Sequence, residues 1–219
     1  MKWNDYVLGD AFEGLAEIRE ASVDLVFTSL PDLSQTEWDA KSTDQYQGFQ
    51  TRALAAISRI VKPSGFVVLC QTDRKVNAEV LCNHYWYMKT MFGFGWKLKD
   101  EKIVVRNEVG LRDLYHFTYQ YMSIFTQEGT FKRAGEWLRD IIVDQQEKTV
   151  PGQYTWSQDF CRMVIEALCP VGGKVVDPFA AAGPVLFAAY SVDRSYWGAE
   201  ICPERYNKDF HLFVDRLEV

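Results

Sequence analysis

The stretch Val175-Val176-Asp177-Pro178-Phe179-Ala180-Ala181-Ala182-Gly183, followed by Ala188-Ala189 and then Trp197-Gly198-Ala199-Glu200, decides the fold. It reads as a short apolar strand ending in an acid, a tight turn of small residues, a helix, a second strand and a second acid. In an α/β sheet this succession grips a nucleotide-like ligand. The small turn residues let backbone approach the ligand closely, and an acid at the end of the next parallel strand, about twenty residues on, accepts from ribose hydroxyls.

Outward from this stretch, apolar strands alternate with helical stretches. Val23 to Phe27 reads as a strand, Phe49 to Val61 as an amphipathic helix ending before Lys62-Pro63-Ser64-Gly65, and Phe66 to Cys70 as another strand, the unit of a parallel sheet. A helix is expected over Lys75 to Phe92, then strands at Leu98 to Arg106 and Tyr119 to Thr126 with Asn107 to His116 between them. Two consecutive strands without a helix predict an antiparallel edge strand. Gln127 to Tyr154 is polar, carries Pro151-Gly152 and reads as loop with a short helix near Trp137. Helix Trp156 to Leu168, strand Lys174 to Asp177, helix Pro184 to Tyr190, strand Tyr196 to Glu200 and a final helix Pro203 to Leu217 complete the order. The expected fold is α/β and Rossmann-like, a mostly parallel twisted sheet in a single domain over 1–219, with 127–154 as a recognition or lid insertion.

Composition narrows the function classes. With 219 residues and 47% hydrophobic content the chain can bury a sizeable core, and its formal net charge of −6 gives no global sign of nucleic-acid affinity, so any such surface is a local patch. The best places for one are Arg106 to Arg112 and Lys132-Arg133. Five cysteines, odd in number and without C-x-x-C spacing, argue against a structural metal or a disulfide framework, and His84, His116 and His211 sit in unrelated contexts. No apolar signal core or membrane-length run is present, so the expectation is a cytoplasmic protein with no membrane and no metal partner. Aromatics are dense between His84 and Trp96, either as packing material or as a stacking surface for bases.

The cofactor can be narrowed from the same turn. G-x-G-x-x-G is absent and Asp177 occupies the first strand end. An acid there suits a ligand with an ammonium group, which favours S-adenosylmethionine over NAD. Asp177-Pro178-Phe179-Ala180-Ala181-Ala182-Gly183 with Ala188-Ala189, Arg194, Gly198, Glu200 and Tyr206 resembles the S-adenosylmethionine-binding region of amino-group DNA methyltransferases. Val23 to Asp32, ending in Thr28-Ser29-Leu30-Pro31-Asp32, is similar to that family's catalytic segment, usually Asp/Asn/Ser-Pro-Pro followed by an aromatic. Catalytic segment first and cofactor segment last is the family's β-type order.

The resemblance implies an S-adenosylmethionine-dependent DNA methyltransferase acting on an exocyclic amine, cytosine N4 ahead of adenine N6, in a restriction–modification setting, with DNA as partner and a homodimer as a further expectation. It implies a catalytic loop of Ser29, Leu30, Pro31 and Asp32. For the cofactor it implies Asp10 and Ala11 of a Gly-Asp segment, Thr28, Trp156 and Ser157, the turn residues Asp177, Pro178, Phe179, Ala180 and Gly183, and Glu200 with Ile201.

The chain departs from the family at four places. Leu30 replaces the first proline of the loop. Asp32 replaces the aromatic, removing a stacking contact worth roughly 1–3 kcal/mol per base. Three readings of Asp32 stand open: an acid bonded to a different amine with Trp38 or Tyr46 supplying the stack, lost catalysis in a DNA-binding or assembly module, or an ordinary methyltransferase compensated by neighbouring aromatics. In the cofactor turn, Ala181 stands where the family usually has glycine and Pro184 where it has a hydroxyl that binds the cofactor carboxylate. Losing one such bond to a charged group costs about 1.5–3 kcal/mol.

Overall fold

The computed structural model describes residues 1–32, 42–76, 79–106, 117–128, 138–150 and 153–206. Its strands are β1 Asp5–Leu8, β2 Val23–Thr28, β3 Val61–Gln71, β4 Arg74–Val76, β5 Glu79–Leu81, β6 Lys97–Arg106, β7 Tyr119–Thr126, β8 Ile141–Asp144, β9 Glu147–Val150, β10 Gln153–Thr155, β11 Lys174–Asp177 and β12 Ser195–Glu200. The helices are α1 Ala11–Glu17, α2 Thr43–Ile60, α3 Asn83–Gly93, α4 Gln158–Leu168 and α5 Pro184–Ser191. Residues 203–206 are helical, and the rest of the expected C-terminal helix lies outside the described residues.

The main sheet has the order β1-β12-β11-β2-β3-β7-β6-β8. Its described strands run parallel except β7, which opposes both β3 and β6. The central strands are buried on both faces, so their sequences are continuous apolar runs. In β2, Leu25 and Phe27 pack with α4 and α5, while Val26 packs on the other face with α1, α2 and α3. Asp24 ties the centre together, accepting from Lys174 N at 2.9 Å and pairing with Lys62.

Close packing explains one residue of the opening stretch. A Cβ at Gly198 of β12 would stand 2.6 Å from Leu186 Cδ1 and 2.8 Å from the Asp177 carbonyl oxygen. Only glycine lets α5 and β11 close on β12 there.

Several expected boundaries are corrected. Helix α2 begins six residues earlier than Phe49, with Ser42 accepting from Gln45 N at 3.3 Å as its cap and Tyr46 buried on its first turns. Strand β3 starts at Val61, which pairs with Val23 before the register shifts to Leu25 opposite Phe66. The expected helix from Lys75 is instead the β4–β5 hairpin followed by α3, because Arg74 to Val76 pairs antiparallel with Glu79 to Leu81, and Asp73 accepts from His84 N at 3.2 Å, capping α3 from outside. Helix α4 starts two residues after Trp156, with Ser157 as cap. Where described, the polar stretch 127–154, expected to be loop, supplies β8, which adds to the sheet beside β6, and β9, which pairs with β10. The helix expected near Trp137 and the Asn107 to His116 connection lie outside the described residues.

Candidate active site

A cleft of about 700 Å³ opens at the C-terminal ends of the parallel strands, where β11 and β2 meet. Open α/β sheets bind ligands at this position because the strands beyond it diverge in connection. Sheet order sets the order of the chemistry. Asp10, Glu200 and Asp177 follow β1, β12 and β11, the Ser29 to Asp32 loop follows β2, and glutamines and arginines stand at the ends of β3, β7 and β6. One side of the cleft is therefore acidic and the other is a mixed polar surface.

Asp177 ends β11 only 2% exposed. Its Oδ1 accepts from the Thr28 hydroxyl at 2.7 Å and from Phe179 N at 3.1 Å. Burial pushes its carboxyl up to about 7, the nearby Glu200 carboxylate adds to the rise, and the two donors oppose it. Glu200 accepts from Cys202 N at 2.8 Å and lines the cleft. Asp10 caps α1, accepting from Phe12 N at 2.7 Å, while it and Ala11 also line the wall, so its capping and cleft positions coexist.

Pro178, Phe179 and Ala180 form the turn wall, which Ala180 N anchors to Ala199 O at 2.9 Å. Ala181 has φ 46, left-handed backbone that favours glycine. Trp156 stacks on Phe27 with ring centroids 5.0 Å apart and faces the cleft, and Ile201 stands exposed at its rim.

Three expected cofactor residues stand behind the wall. Thr28 is fully buried and reaches the cleft only through Asp177. Ser157 caps α4, its hydroxyl accepting from Phe160 N at 3.2 Å and its own N–H donating to Asp144 at 3.0 Å. Gly183, at φ 72, starts α5 and bonds Ala180 O. Each shapes the site from a position off its surface.

Ser29, Leu30, Pro31 and Asp32 all border the cleft. The Leu30 side chain turns into the core with α1 and α2, which leaves its backbone to face the cleft. The Pro31 carbonyl accepts from the Tyr46 hydroxyl at 2.9 Å. Tyr46 is 1% exposed, so it fixes the loop and cannot stack on a base, correcting one proposed substitute for the missing aromatic; Trp38 lies outside the described residues.

Asp32 accepts from Gln71 Nε2 at 3.4 Å. Burial raises its carboxyl, and the Arg74 and Arg106 guanidiniums pull the other way. Arg106, expected on a DNA-facing patch, instead turns into this cleft, donating to Thr72 Oγ1 and to Gln120 Oε1 at 3.2 Å. Arg112, Lys132 and Arg133 lie outside the described residues.

Gln71, Thr72, Asp73, Arg74 and Gln120 line the cleft without having been anticipated. One signal for them was present. Gln120 alternates with Met122 and Ile124 on a buried strand face, and a buried amide in an apolar stripe needs a partner. His84 pairs with Asp73 at 2.7 Å and lies against Tyr121. Among the described residues no group of three or more His, Cys, Asp or Glu could hold a metal ion, and no helix is long and apolar enough to cross a membrane.

No protein-family model and no curated protein matches the chain. Solved structures do. TTHA0409 of Thermus thermophilus, inferred to be a DNA modification methylase, is similar at 23% identity and TM-score 0.76, over 96% of this chain and 94% of its own. PvuII DNA methyltransferase, cytosine-N4-specific, is 15% identical with TM-score 0.78 over 96% and 90%. M1.HpyAVI in complex with S-adenosylmethionine is 19% identical with TM-score 0.69 over 98% and 99%. Across nearly its whole length this chain has the Rossmann-like α/β fold of these DNA methyltransferases.

Proposed function

We propose that the chain transfers a methyl group from S-adenosylmethionine to an exocyclic amine of DNA, cytosine N4 ahead of adenine N6. The observation that carries this reading is the junction of β11 and β2, which sets the Asp177 turn and the Ser29 loop side by side in one cleft. Support comes from the fold neighbours, which include a cytosine-N4-specific enzyme and TTHA0409 complexed with S-adenosylmethionine.

The cofactor, when bound, supplies an electrophilic methyl group. Asp177 and Glu200 are assigned its ammonium group and ribose hydroxyls, and the small residues of the 178–183 turn admit its backbone-contacting end. Ser29 accepts a hydrogen bond from the target amine, drawing its nitrogen lone pair out of ring conjugation and towards the methyl group. The 127–154 segment is assigned to recognition, since Gln146 lines the cleft, and a homodimer remains part of the proposal, to be checked by sedimentation.

A second reading, a catalytically silent DNA-binding or assembly module, is favoured by Asp32 and Pro184. Calorimetry with S-adenosylmethionine on the wild type and Asp177→Ala tests the cofactor; heat from the former and none from the latter is expected. Tritiated transfer to unmethylated genomic DNA, followed by nucleoside analysis, tests catalysis. Cofactor binding without label in the DNA would establish the silent module instead.

A further inference from the structure

The polar side of the cleft contains two nearly buried amides, each with an unpartnered atom. Gln71 is 3% and Gln120 2% exposed, and both line the cleft. Each amide is oriented by a charged neighbour. The Asp32 carboxylate takes the Gln71 NH₂ group, which leaves Gln71 Oε1 buried with no partner. The Arg106 guanidinium takes the Gln120 carbonyl, which leaves Gln120 Nε2 buried with no partner. A buried amide atom without a hydrogen bond is unfavourable, so two of them on side chains that line one cleft mark a place where a ligand supplies the missing bonds.

Register places them on two sides. Gln71 stands opposite Tyr121 and Cys70 opposite Met122, so Gln71 and Gln120 leave opposite faces of the sheet and meet the cleft at the strand ends. The opening therefore carries an acceptor on one flank and a donor on the other. Flanking aromatics would give a base-tolerant stack; an acceptor and a donor select by edge chemistry.

We propose that Gln71 and Gln120 determine substrate specificity: Gln71 accepts from an exocyclic amine of the target base, Gln120 donates to a ring nitrogen or carbonyl of the same base, and Asp32 and Arg106 are positioning residues that hold the two amides. This rests on the DNA methyltransferase reading and gives the missing aromatic a replacement, since the base is held by its polar edge. The ligand class is a heteroaromatic base with an amine and a separate acceptor, as in cytosine and adenine.

The test is binding of free nucleosides to the full chain, followed by ligand-observed NMR with and without S-adenosylmethionine. Deoxycytidine is expected to bind the wild type about tenfold more tightly than N4,N4-dimethyldeoxycytidine, which lacks the amine hydrogens. Gln71→Met is expected to reduce that preference to about threefold, because Ser29 still accepts from the amine. Gln120→Met is expected to weaken both nucleosides alike, by about fivefold or more, and to preserve the preference. The cofactor affinity of both variants, measured by calorimetry, stays within about twofold of wild type and reports intact folding.

Equal wild-type affinity for the two nucleosides, or binding of neither, overturns the proposal, as does a preference that is undiminished in Gln71→Met. The broader reading fails separately. If the preference for deoxycytidine holds while no label reaches DNA, methyl transfer is lost and the pocket assignment stands.

Discussion

The Thr28 hydroxyl donates to Asp177 Oδ1 at 2.7 Å, so a side chain with no access to the cleft orients the carboxylate that has it. The two residues end neighbouring strands, and their bond joins the loop that would hold the substrate to the turn that would hold the cofactor. Asp177 is thereby aimed while remaining buried, and burial is what lifts its carboxyl from 3.8 to about 7.

That shift has a definite sign. A carboxyl raised by folding contributes stability that is complete below its unfolded value and is lost as pH rises through its folded value, here about 7. Asp177→Asn keeps the acceptor for Thr28 and Phe179 without the charge. It is expected to be more stable than wild type above neutral pH, by about 4 kcal/mol at most, with the difference vanishing near the unfolded value. Urea denaturation across the pH range measures it. Cofactor affinity runs the other way: an ammonium ligand needs the carboxylate, so wild-type affinity rises through pH 7 and the variant shows no such rise.

Ala181 gives a second prediction. Its φ of 46 is a conformation that glycine adopts without strain and alanine does not. Ala181→Gly is expected to stabilise the protein by about 1 kcal/mol, raising Tm by about 2–4 °C for a domain of this size. Thermal denaturation reads it directly, and an unchanged or lower Tm would mean that the turn gains nothing from relief at this position.

How far the site was legible depends on whether a residue acts locally or through a partner. The Asp177 turn, β7 and β11 could be read because apolar alternation and small-residue turns are local signals. The hairpin after Asp73 could not, since its register and the cap that Asp73 lends to His84 are made across chain segments. The same holds for the cleft. Asp10, Asp177 and Glu200 announce themselves at strand ends, whereas Gln71 and Gln120 gain their meaning only from Asp32 and Arg106, which the sheet brings up from elsewhere. Thr28 and Ser157 illustrate the converse: adjacent to the motifs in sequence, they face away from the cleft in space.

Gly198→Ala tests the packing under the Asp177 turn. The added Cβ would press on Leu186 and on the Asp177 carbonyl, and backbone cannot yield as a flexible side chain can. Overpacking of this kind costs about 1–3 kcal/mol. Because the collision lands on Asp177 itself, cofactor affinity is expected to fall along with stability, in contrast to Ala181→Gly. Paired denaturation and calorimetry separate the two effects, and a variant that loses stability with unchanged affinity would show that the Asp177 carboxylate is insulated from its own backbone.

Asp32→Tyr decides between a degenerate loop and an adapted one. Tyrosine returns the aromatic that the methyltransferase loop usually carries, which would add stacking if the loop had merely decayed. In this chain, however, Asp32 faces the Arg74 and Arg106 guanidiniums and holds the Gln71 amide. Removing the carboxylate takes away a negative charge that both guanidiniums face and frees Gln71 to turn. The expected result is a stability loss of about 1–3 kcal/mol, smaller at high salt, where the repulsion between the arginines is screened. Transfer to DNA is expected to fall together with the preference for an unmethylated amine, while cofactor affinity holds. Asp32→Asn, which keeps an acceptor for Gln71, should lie between wild type and tyrosine in every measurement. Higher transfer activity in Asp32→Tyr than in wild type would mean that stacking, and not the polar edge, limits this site.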